Sequence, residues 1–283
     1  MLIKQLRITH VERCPIPEGP ETKRTAEGLA RAMTNKTITN VEVLSGRYTK
    51  EAPSGIEDFR TSLPIKVVGA GCHGKFIFAL CSEESYIWST LGMTGYWNAD
   101  GSKYARIRFD FSDGTSIHYN DMRNFGTLKF VKGKHEMIKK LKTLGPDMLA
   151  QDVPTAVFRE ALMKRPDWSI AKALMKQSLV CGVGNYIKAD SLWLAKISPK
   201  RKVKDITDIE FADLCDAIKR VMRTSYDTGG ATIASYQSFD DEPGTYTQQM
   251  VVYGQKQDPE GNEVIREKTD DGRTTHWVPL VQK

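Results

Sequence analysis

The apolar side chains of this sequence change their spacing at His135. Before that residue, apolar and polar side chains alternate over short segments, which is the pattern of β-strands. After it, apolar side chains recur at helical spacing, and the longest such stretch covers residues 206–227. The change predicts an α+β, multidomain chain, in which a β-sandwich carrying one early helix precedes a helical part. A length of 283 residues allows two domains of moderate size.

Apolar runs and turn residues predict the individual elements. The early helix begins at the prolines near residue 18 and reaches about residue 34. The later elements are strands at 38–44, 65–68, 76–80, 86–88, 105–111, 115–119 and 126–131, helices at 136–142, 155–164, 168–178, 184–194 and 206–227, and short strands at 250–253, 264–267 and 274–278. Gly69 and Gly71 are predicted to end the second strand, and the polar segment 231–247 is predicted to be a loop.

These patterns divide the chain into five parts. They are an N-terminal extension (1–16), the β-sandwich domain (17–131), a linker (132–150), the helical domain (151–248) and a terminal β-hairpin module (249–283).

Positive charge is concentrated in the helical part. The chain has a net charge of +6 and a sequence pI of about 8.9, which favours a polyanionic partner. Residues 159–204 hold eleven cationic side chains against three acidic ones. A solvated helical face and a site for a nucleic-acid backbone both fit this excess, and the glycine turn described below favours the second.

The five cysteines are scattered and form no Cys-x-x-Cys pair. This favours reduced thiols and an intracellular protein, of the cytoplasm, nucleoid or nucleus. No apolar run approaches the roughly 20 residues of a membrane span, and the first residues lack the apolar block of a secretory signal. We therefore expect no secretion and no membrane partner.

The stretch Pro17-Glu18-Gly19-Pro20-Glu21 has two interpretations. Proline suits the first turn of a helix, and acidic side chains suit its positive end. Alternatively, a proline at a chain terminus is a secondary amine, a nucleophile that can form a positively charged imine with a sugar aldehyde. Sixteen residues precede Pro17 in this sequence. They are either a short extra strand or arm, or the product of a start assigned upstream of the true one.

The turn Gly182-Val183-Gly184-Asn185 lies between two predicted helices in the basic segment. Two glycines separated by one residue let the backbone approach a ligand closely, and the following helix would direct its free N–H groups at that ligand. Asn185 adds a side-chain donor. The pattern indicates a phosphate-binding turn, although many helix–helix turns also contain glycine.

The segment around this turn resembles the helix–two-turns–helix element of the formamidopyrimidine-DNA glycosylase / endonuclease VIII family. The opening stretch resembles the catalytic N-terminus of that family. Other matching motifs follow in the family's order: Gly74-Lys75, Leu91-Gly92-Met93-Thr94-Gly95, Asp121-Met122-Arg123-Asn124-Phe125-Gly126, Leu144-Gly145-Pro146-Asp147, Gly229-Gly230 and Val252-Tyr253-Gly254. The resemblance covers residues 17–283, so we expect a member of this family.

The resemblance implies a monomeric, bifunctional DNA glycosylase and abasic-site lyase of base excision repair, acting on oxidised bases in double-stranded DNA. Pro17 would attack C1′ of the damaged nucleotide, and elimination at both flanking phosphates would follow. Glu18 would be the general acid, supported by Glu21. Lys75 would pair with a phosphate beside the lesion. A helix-start carboxylate and an ordinary exposed lysine are the alternatives for Glu18 and Lys75.

The same resemblance implies two sets of DNA contacts. Met93, Arg123 and Phe125 would fill the space that the damaged nucleotide leaves when it flips out of the duplex. Ordinary core residues are the alternative for the methionine and the phenylalanine. Backbone phosphates would be bound by Asn185 and Arg273, together with the turn at Gly182 and Gly184.

Two features depart from the family's pattern. The family often carries a C-terminal zinc finger with four cysteines, whereas no cysteine follows Cys215 here. A zinc site needs about four ligands, so we predict no metal, no cofactor and a zincless finger with Arg273 on a β-hairpin. The extension at 1–16 is the second departure, because an acylated Pro17 nitrogen is an amide without a nucleophilic lone pair.

Two other function classes therefore stay open. If the extension is retained, the chain would be a DNA-binding protein of the same fold without catalysis. An RNA-binding or ribosome-associated helix–two-turns–helix protein is the third possibility, but it leaves Glu18, Lys75 and the wedge residues unexplained.

Overall fold

A computed structural model describes residues 16–231 and 244–283. The helices are α1 (Gly19–Met33), α2 (Ile56–Thr61), α3 (Lys134–Lys142), α4 (Thr155–Met163), α5 (Ile170–Met175), α6 (Asn185–Leu194) and α7 (Asp208–Asp227). The strands are β1 (Thr37–Val43), β2 (Ile65–His73), β3 (Phe76–Cys81), β4 (Ser85–Thr90), β5 (Gly95–Asn98), β6 (Ala105–Phe111), β7 (Ser116–Asp121), β8 (Thr127–Lys132), β9 (Ile265–Lys268) and β10 (Thr274–Trp277). Within the described ranges, no helix is both long and apolar enough to cross a membrane.

The first eight strands form an antiparallel sandwich, as the alternating pattern predicts. One half has the strand order β5-β7-β6-β1 and the other β2-β3-β4-β8. The halves are joined by the short pairing of β1 with β2, at Thr37–Lys66 and Ile38–Ile65. Phe109 of β6 and Phe130 of β8 meet between the halves, with ring centroids 6.1 Å apart. The inward-facing apolar side chains of both halves therefore share one core.

The predicted end of the second strand at its glycines is wrong. β2 continues to His73, and Gly71 pairs with Phe78 of β3. A register shift between Val67 and Gly69 takes up the irregularity, so the glycines form a bulge rather than a break. Strand β5 was not predicted, because its four residues are buried throughout and show no alternation.

Helix α1 links the sandwich to the helical part. Leu29 and Met33 enter the sandwich core. On another side of the helix, Glu27 accepts a hydrogen bond from the hydroxyl of Tyr226 in α7, at 2.8 Å. The early helix predicted from residue 18 is confirmed, and it contacts both parts of the chain.

The helical part packs around α6 and α7. Tyr186, Ile187 and Leu192 of α6 are fully buried. Helix α7 presents Phe211, Leu214 and a series of further apolar side chains to the same core. The five predicted helices of this part are confirmed, with ends that differ by a few residues.

Residues 250–253 do not form the predicted strand. Their N–H groups bind a single buried carboxylate instead: Asp190 of α6 accepts from Val251 at 3.2 Å and from Val252 and Tyr253 at 3.0 Å each. A carboxylate that accepts three backbone N–H groups requires a tight turn of the chain around it. The other two predicted strands are confirmed as the hairpin β9–β10.

The four cysteines among the described residues are free thiols. Burial raises the pKa of Cys72, Cys81 and Cys181 to about 12, so these thiols are protonated and unreactive at neutral pH. Cys14 lies outside the described residues.

Candidate active site

The candidate site lies where three backbone segments meet at glycines. Gly19 opens α1, Gly74 lies in the turn between β2 and β3, and Gly182 lies in the turn before α6. The N–H of Gly19 donates to the carbonyl oxygen of Gly182 at 2.9 Å. A Cβ atom on Gly74, whose φ is +57°, would lie 2.8 Å from the Gly182 nitrogen. A side chain would hold these segments apart, so glycine is required for the approach.

Glu18 is buried at the N-terminus of α6. Its carboxylate accepts the backbone N–H groups of Tyr186 at 2.9 Å and Ile187 at 3.3 Å. The sequence pattern predicts that the free N–H groups of this helix face an external phosphate, and for these two groups that prediction is wrong. The positive end of the helix holds an internal carboxylate instead, brought there by the glycine contact.

The ammonium group of Lys75 lies next to Gly184, at the position where the carboxyl group of Glu18 also lies. A Cβ atom built on Gly184 would lie 2.4 Å from Glu18 Oε1 and 2.4 Å from Lys75 Nζ. The carboxylate and the ammonium group therefore line the same small space, which glycine leaves open. The structure thus brings together a carboxylate, an amine and the glycine turn, all three of which the sequence singles out.

The protonation of this pair is governed by burial. Burial raises the pKa of Glu18 to about 7, with the nearby Glu21 adding to the rise, while Lys75 and the α6 N–H groups oppose it. Burial also lowers the pKa of Lys75, against the attraction of the two carboxylates. Desolvation outweighs the ion-pair attraction for both groups. The glutamate therefore holds a proton over a large part of the neutral pH range.

Glu21 connects three elements around the site. One of its oxygens accepts from the backbone N–H of Glu18 at 2.8 Å, which closes a capping box at the start of α1. It also accepts from the hydroxyl of Tyr186 at 3.0 Å and from the N–H of Ala231 at 2.7 Å. Ser225 of α7 completes the cluster at 2.9 Å from the Tyr186 hydroxyl. Sequence patterns assign no role to Tyr186 or Ser225, because a hydroxyl group on a mixed polar and apolar helix gives no sign that it meets a buried carboxylate.

Pro17 is buried directly before Glu18, and its nitrogen is bonded to Ile16 in this chain. It immediately precedes Glu18, the residue with the buried carboxylate, two residues before α1 begins. The residues before 16 lie outside the described ranges, as does most of the predicted loop 231–247.

Asp147 holds the hairpin that carries Lys75. Its carboxylate accepts the N–H of Gly74 at 2.7 Å and, through its other oxygen, the N–H of Leu149 at 3.0 Å. The ring of His73 adds a hydrogen bond to the carbonyl oxygen of Gly145, at 2.8 Å. The linker motif thus fixes the turn between β2 and β3 from the helical side, which its sequence alone does not indicate.

The loops with the three proposed void-filling residues lie against each other. Asp121, at the end of β7, accepts from the N–H of Gly126 at 2.8 Å and from the hydroxyl of Thr94. The Thr94 oxygen in turn accepts the N–H of Arg123 at 2.9 Å. A Cβ on Gly92 would lie 2.5 Å from the Gly126 nitrogen, so the loops are in direct contact.

The side chains on these loops are accessible to different degrees. Phe125 is 55% exposed, and the guanidinium of Arg123 stacks 4.8 Å from its ring centroid. Met93 is half-buried. An exposed phenylalanine in a loop held by buried hydrogen bonds contributes little to a core, and it offers a rigid apolar surface to a partner.

Asn185 and Arg273 lie at the junction of α6 with the hairpin β9–β10. Asn185 Nδ2 donates to the carbonyl oxygen of Thr274 at 3.0 Å. Arg273 is exposed in the turn of the hairpin. In the residues that the structure describes, no group of three or more His, Cys, Asp or Glu side chains is placed to hold a metal ion.

Comparison with known families covers nearly the whole of residues 16–283. Three family models match in order: the formamidopyrimidine-DNA glycosylase N-terminal domain (16–128), its H2TH domain (144–237) and its C-terminal domain (243–283). The chain is 30% identical over 276 residues to the formamidopyrimidine-DNA glycosylase of Shouchella clausii, covering 94% of this chain and 99% of the relative. It is 32% identical over 287 residues to that of Prochlorococcus marinus, covering 94% and 100%.

Solved structures agree with this assignment. The fold is similar to a variant Lactococcus lactis enzyme in complex with DNA that contains a formamidopyrimidine lesion, with a TM-score of 0.84 and 26% identity over 94% of this chain and 100% of that one. It is also similar to the Thermus thermophilus enzyme, with a TM-score of 0.83 and 26% identity over 94% and 98%. Family models, relatives and structures agree over both parts of the chain, which therefore belongs to the formamidopyrimidine-DNA glycosylase family.

Proposed function

We propose that this protein is a DNA glycosylase of base excision repair that removes oxidised bases from double-stranded DNA and then cleaves the abasic strand. The observation that carries the proposal is the buried Glu18, which adjoins Pro17, shares a space with Lys75 and has a pKa raised to about 7. A carboxyl group with this pKa can donate a proton at neutral pH. The membership of the family supports the substrate class.

The chemistry begins at the Pro17 nitrogen. Its lone pair attacks C1′ of the damaged nucleotide, and the bond from C1′ to the base breaks. The base leaves with the electron pair and takes up the proton that the proline nitrogen loses. Glu18 gives its proton to the ring oxygen O4′ as the bond from C1′ to O4′ opens. The product is an iminium ion between Pro17 and the open sugar.

The iminium ion then permits strand cleavage. It acidifies the hydrogens at C2′, and loss of one of them expels the 3′ phosphate by β-elimination. A second, δ-elimination expels the 5′ phosphate. Both steps use the same positively charged nitrogen as electron sink, so they require no metal or redox cofactor.

Lys75 is proposed to bind a phosphate next to the lesion. Burial lowers its pKa in the protein alone, and an arriving phosphate would favour the charged ammonium form. Its turn is fixed by Asp147, so the backbone that carries Lys75 is held in place before DNA binds.

The remaining predicted residues are proposed to hold and open the duplex. Phe125, Arg123 and Met93 lie on two loops in contact and would fill the space of the flipped nucleotide. Asn185 and Arg273 would bind phosphates where α6 meets the hairpin, close to the turn that includes Gly184. These contacts would hold the damaged strand next to Glu18.

One observation favours a second candidate, a DNA-binding protein of this fold without catalysis. In the full chain the Pro17 nitrogen is bonded to Ile16, and an amide nitrogen cannot attack C1′. The first proposal therefore requires a free Pro17 amine.

The two candidates differ in their reaction products. A chain verified by intact mass to begin at Pro17 is expected to convert a duplex with one oxidised base into a gapped strand with phosphates at both ends. The chain that begins at Met1 serves as the matched control, and it is expected to bind the duplex without cutting it. Binding without cleavage by the chain that begins at Pro17 would refute the glycosylase proposal and favour the second candidate.

A further inference from the structure

A buried ion pair connects α6 with the hairpin β9–β10. The ammonium group of Lys188 donates to the carboxylate of Asp271, and their side chains are 0% and 1% exposed. Lys188 lies one helical turn after Asn185, whereas Asp271 lies two residues before Arg273. The pair therefore joins the two elements that carry the residues proposed to bind phosphate.

The Asp271 carboxylate organises the turn of the hairpin. Its Oδ1 accepts from the Thr269 hydroxyl at 2.6 Å and from the backbone N–H of Arg273 at 3.0 Å, while Oδ2 accepts from Lys188. The ammonium group also donates to the Thr275 hydroxyl at 2.8 Å. A single carboxylate thus determines where the backbone of Arg273 lies relative to α6.

A second link joins the same two elements. The side-chain amide of Asn185 donates to the carbonyl oxygen of Thr274, at 3.0 Å. The hairpin turn is consequently tied to α6 on both sides of Arg273, by Asp271 before it and Thr274 after it. The exposed guanidinium extends from a backbone that has two fixed points.

A contribution to folding stability does not by itself explain why Lys188 and Asp271 form a buried ion pair. Removing an ammonium and a carboxylate from water is costly, and replacing a buried pair by apolar side chains is often neutral or stabilising. Both side chains are too deeply buried to contact a ligand themselves. What the pair does provide is a defined position for the hairpin, in a module where the described residues hold no metal-binding cluster.

We propose that Lys188 and Asp271 are positioning residues, which hold Arg273 at the place where it binds a DNA phosphate. The inference rests on the proposed DNA binding by Arg273 and goes beyond it. The positioning effect must vanish when the arginine side chain is absent, whereas a general effect on folding would persist.

A double-mutant cycle tests the positioning role. The measured quantity is the dissociation constant of the full chain for a duplex that contains a stable abasic-site analogue. Arg273→Ala and Asp271→Asn are each expected to weaken binding by roughly tenfold, as for one hydrogen bond to a charged group. The double variant Asp271→Asn/Arg273→Ala is expected to bind no more weakly than Arg273→Ala alone. A roughly hundredfold loss in the double variant, from two independent effects, would overturn the inference.

A conservative pair provides a rescue. Lys188→Gln/Asp271→Asn replaces the ions by an amide pair of similar shape that can hydrogen-bond, so we expect it to recover most of the affinity that Asp271→Asn loses. No recovery by the amide pair in a folded protein would count against a positioning role.

Glu210→Gln is a matched control, because it breaks the ion pair with Arg201 at the start of α7 and should leave DNA affinity unchanged.

A milder variant covers the case in which Asp271→Asn does not fold. Thr275→Val removes one acceptor of the Lys188 ammonium group and keeps the side-chain shape. It is expected to weaken binding by about threefold in the wild-type background and not at all in the Arg273→Ala background. Equal losses in both backgrounds would overturn the inference, whereas an unchanged affinity of Arg273→Ala alone would overturn both this inference and the phosphate role of Arg273. The cleavage assay tests the glycosylase function separately.

Discussion

Two opposing effects determine the chemistry of Glu18. The backbone N–H groups of Tyr186 and Ile187 stabilise its charged form, as does Lys75. Burial favours the neutral form more strongly, and the pKa rises to about 7. The hydrogen bonds therefore fix the orientation of the carboxyl group, while its desolvation sets the proton affinity that a general acid needs.

Substitution of this carboxyl group separates binding from chemistry. Glu18→Gln keeps the shape and removes the acidic proton, so base release is expected to fall at least about 100-fold, the lower range of general acid catalysis. Duplex affinity should change by less than about threefold, because the side chain binds the protein's own backbone. Single-turnover base release and the dissociation constant measure the two effects.

A control variant and the pH profile distinguish Glu18 from other groups that could be the general acid. Glu27→Gln changes another glutamate of α1, one that accepts from Tyr226 outside the site, and should leave base release unchanged. In the unsubstituted enzyme, base release should decline as the pH rises above about 7, since the carboxyl group of Glu18 then loses its proton. A Glu18→Gln enzyme with full activity, or with the same alkaline decline, would show that another group is the acid.

At the scale of elements, the local patterns predict helices and strands well and contacts between them poorly. The periodicity finds α7 and most of the sandwich strands. It misses that residues 250–253 curve around Asp190, because nothing in that segment shows that its N–H groups meet a carboxylate about 60 residues away. It also assigns the N–H groups of α6 to a phosphate, whereas a carboxylate 168 residues away occupies two of them.

The two loops with Met93, Arg123 and Phe125 behave as one element, because Asp121 and the Gly92–Gly126 contact join them. Phe125→Ala removes an exposed ring, so thermal stability should hardly change. Base release from a duplex should fall by roughly tenfold. Flipping the nucleotide costs a few kcal/mol of stacking and pairing energy, and the variant lacks the ring that replaces part of the lost stacking. The rate for the same base in a single strand, where no stack is broken, should stay nearly constant.

A matched control for this prediction is Ile209→Ala, which removes another exposed apolar side chain, on α7. It should leave both rates unchanged. Equal losses on duplex and single strand for Phe125→Ala would contradict a void-filling role and point to a contact with the flipped base instead.

For the whole molecule, the site exists only because the two parts of the chain meet. The sandwich part provides Glu18 and Lys75, and the helical part provides the Tyr186 hydroxyl and the α6 N–H groups. The sequence singles out Glu18 and Lys75 through their motifs. It gives no sign of the contact between Gly19 and Gly182, because these two glycines are far apart in the sequence and come together only when the chain folds.

The proposed reaction depends on Pro17 as the nucleophile and on Glu18, the next residue, as the acid. Borohydride reduction of the enzyme with an abasic-site duplex, followed by mass mapping of the adduct, tests it most directly. A chain that begins at Pro17 should give one covalent adduct, on the Pro17 nitrogen, and Glu27→Gln should give the same adduct. No adduct from that chain, or an adduct on Lys75 with Pro17 unmodified, would show that Pro17 is not the nucleophile.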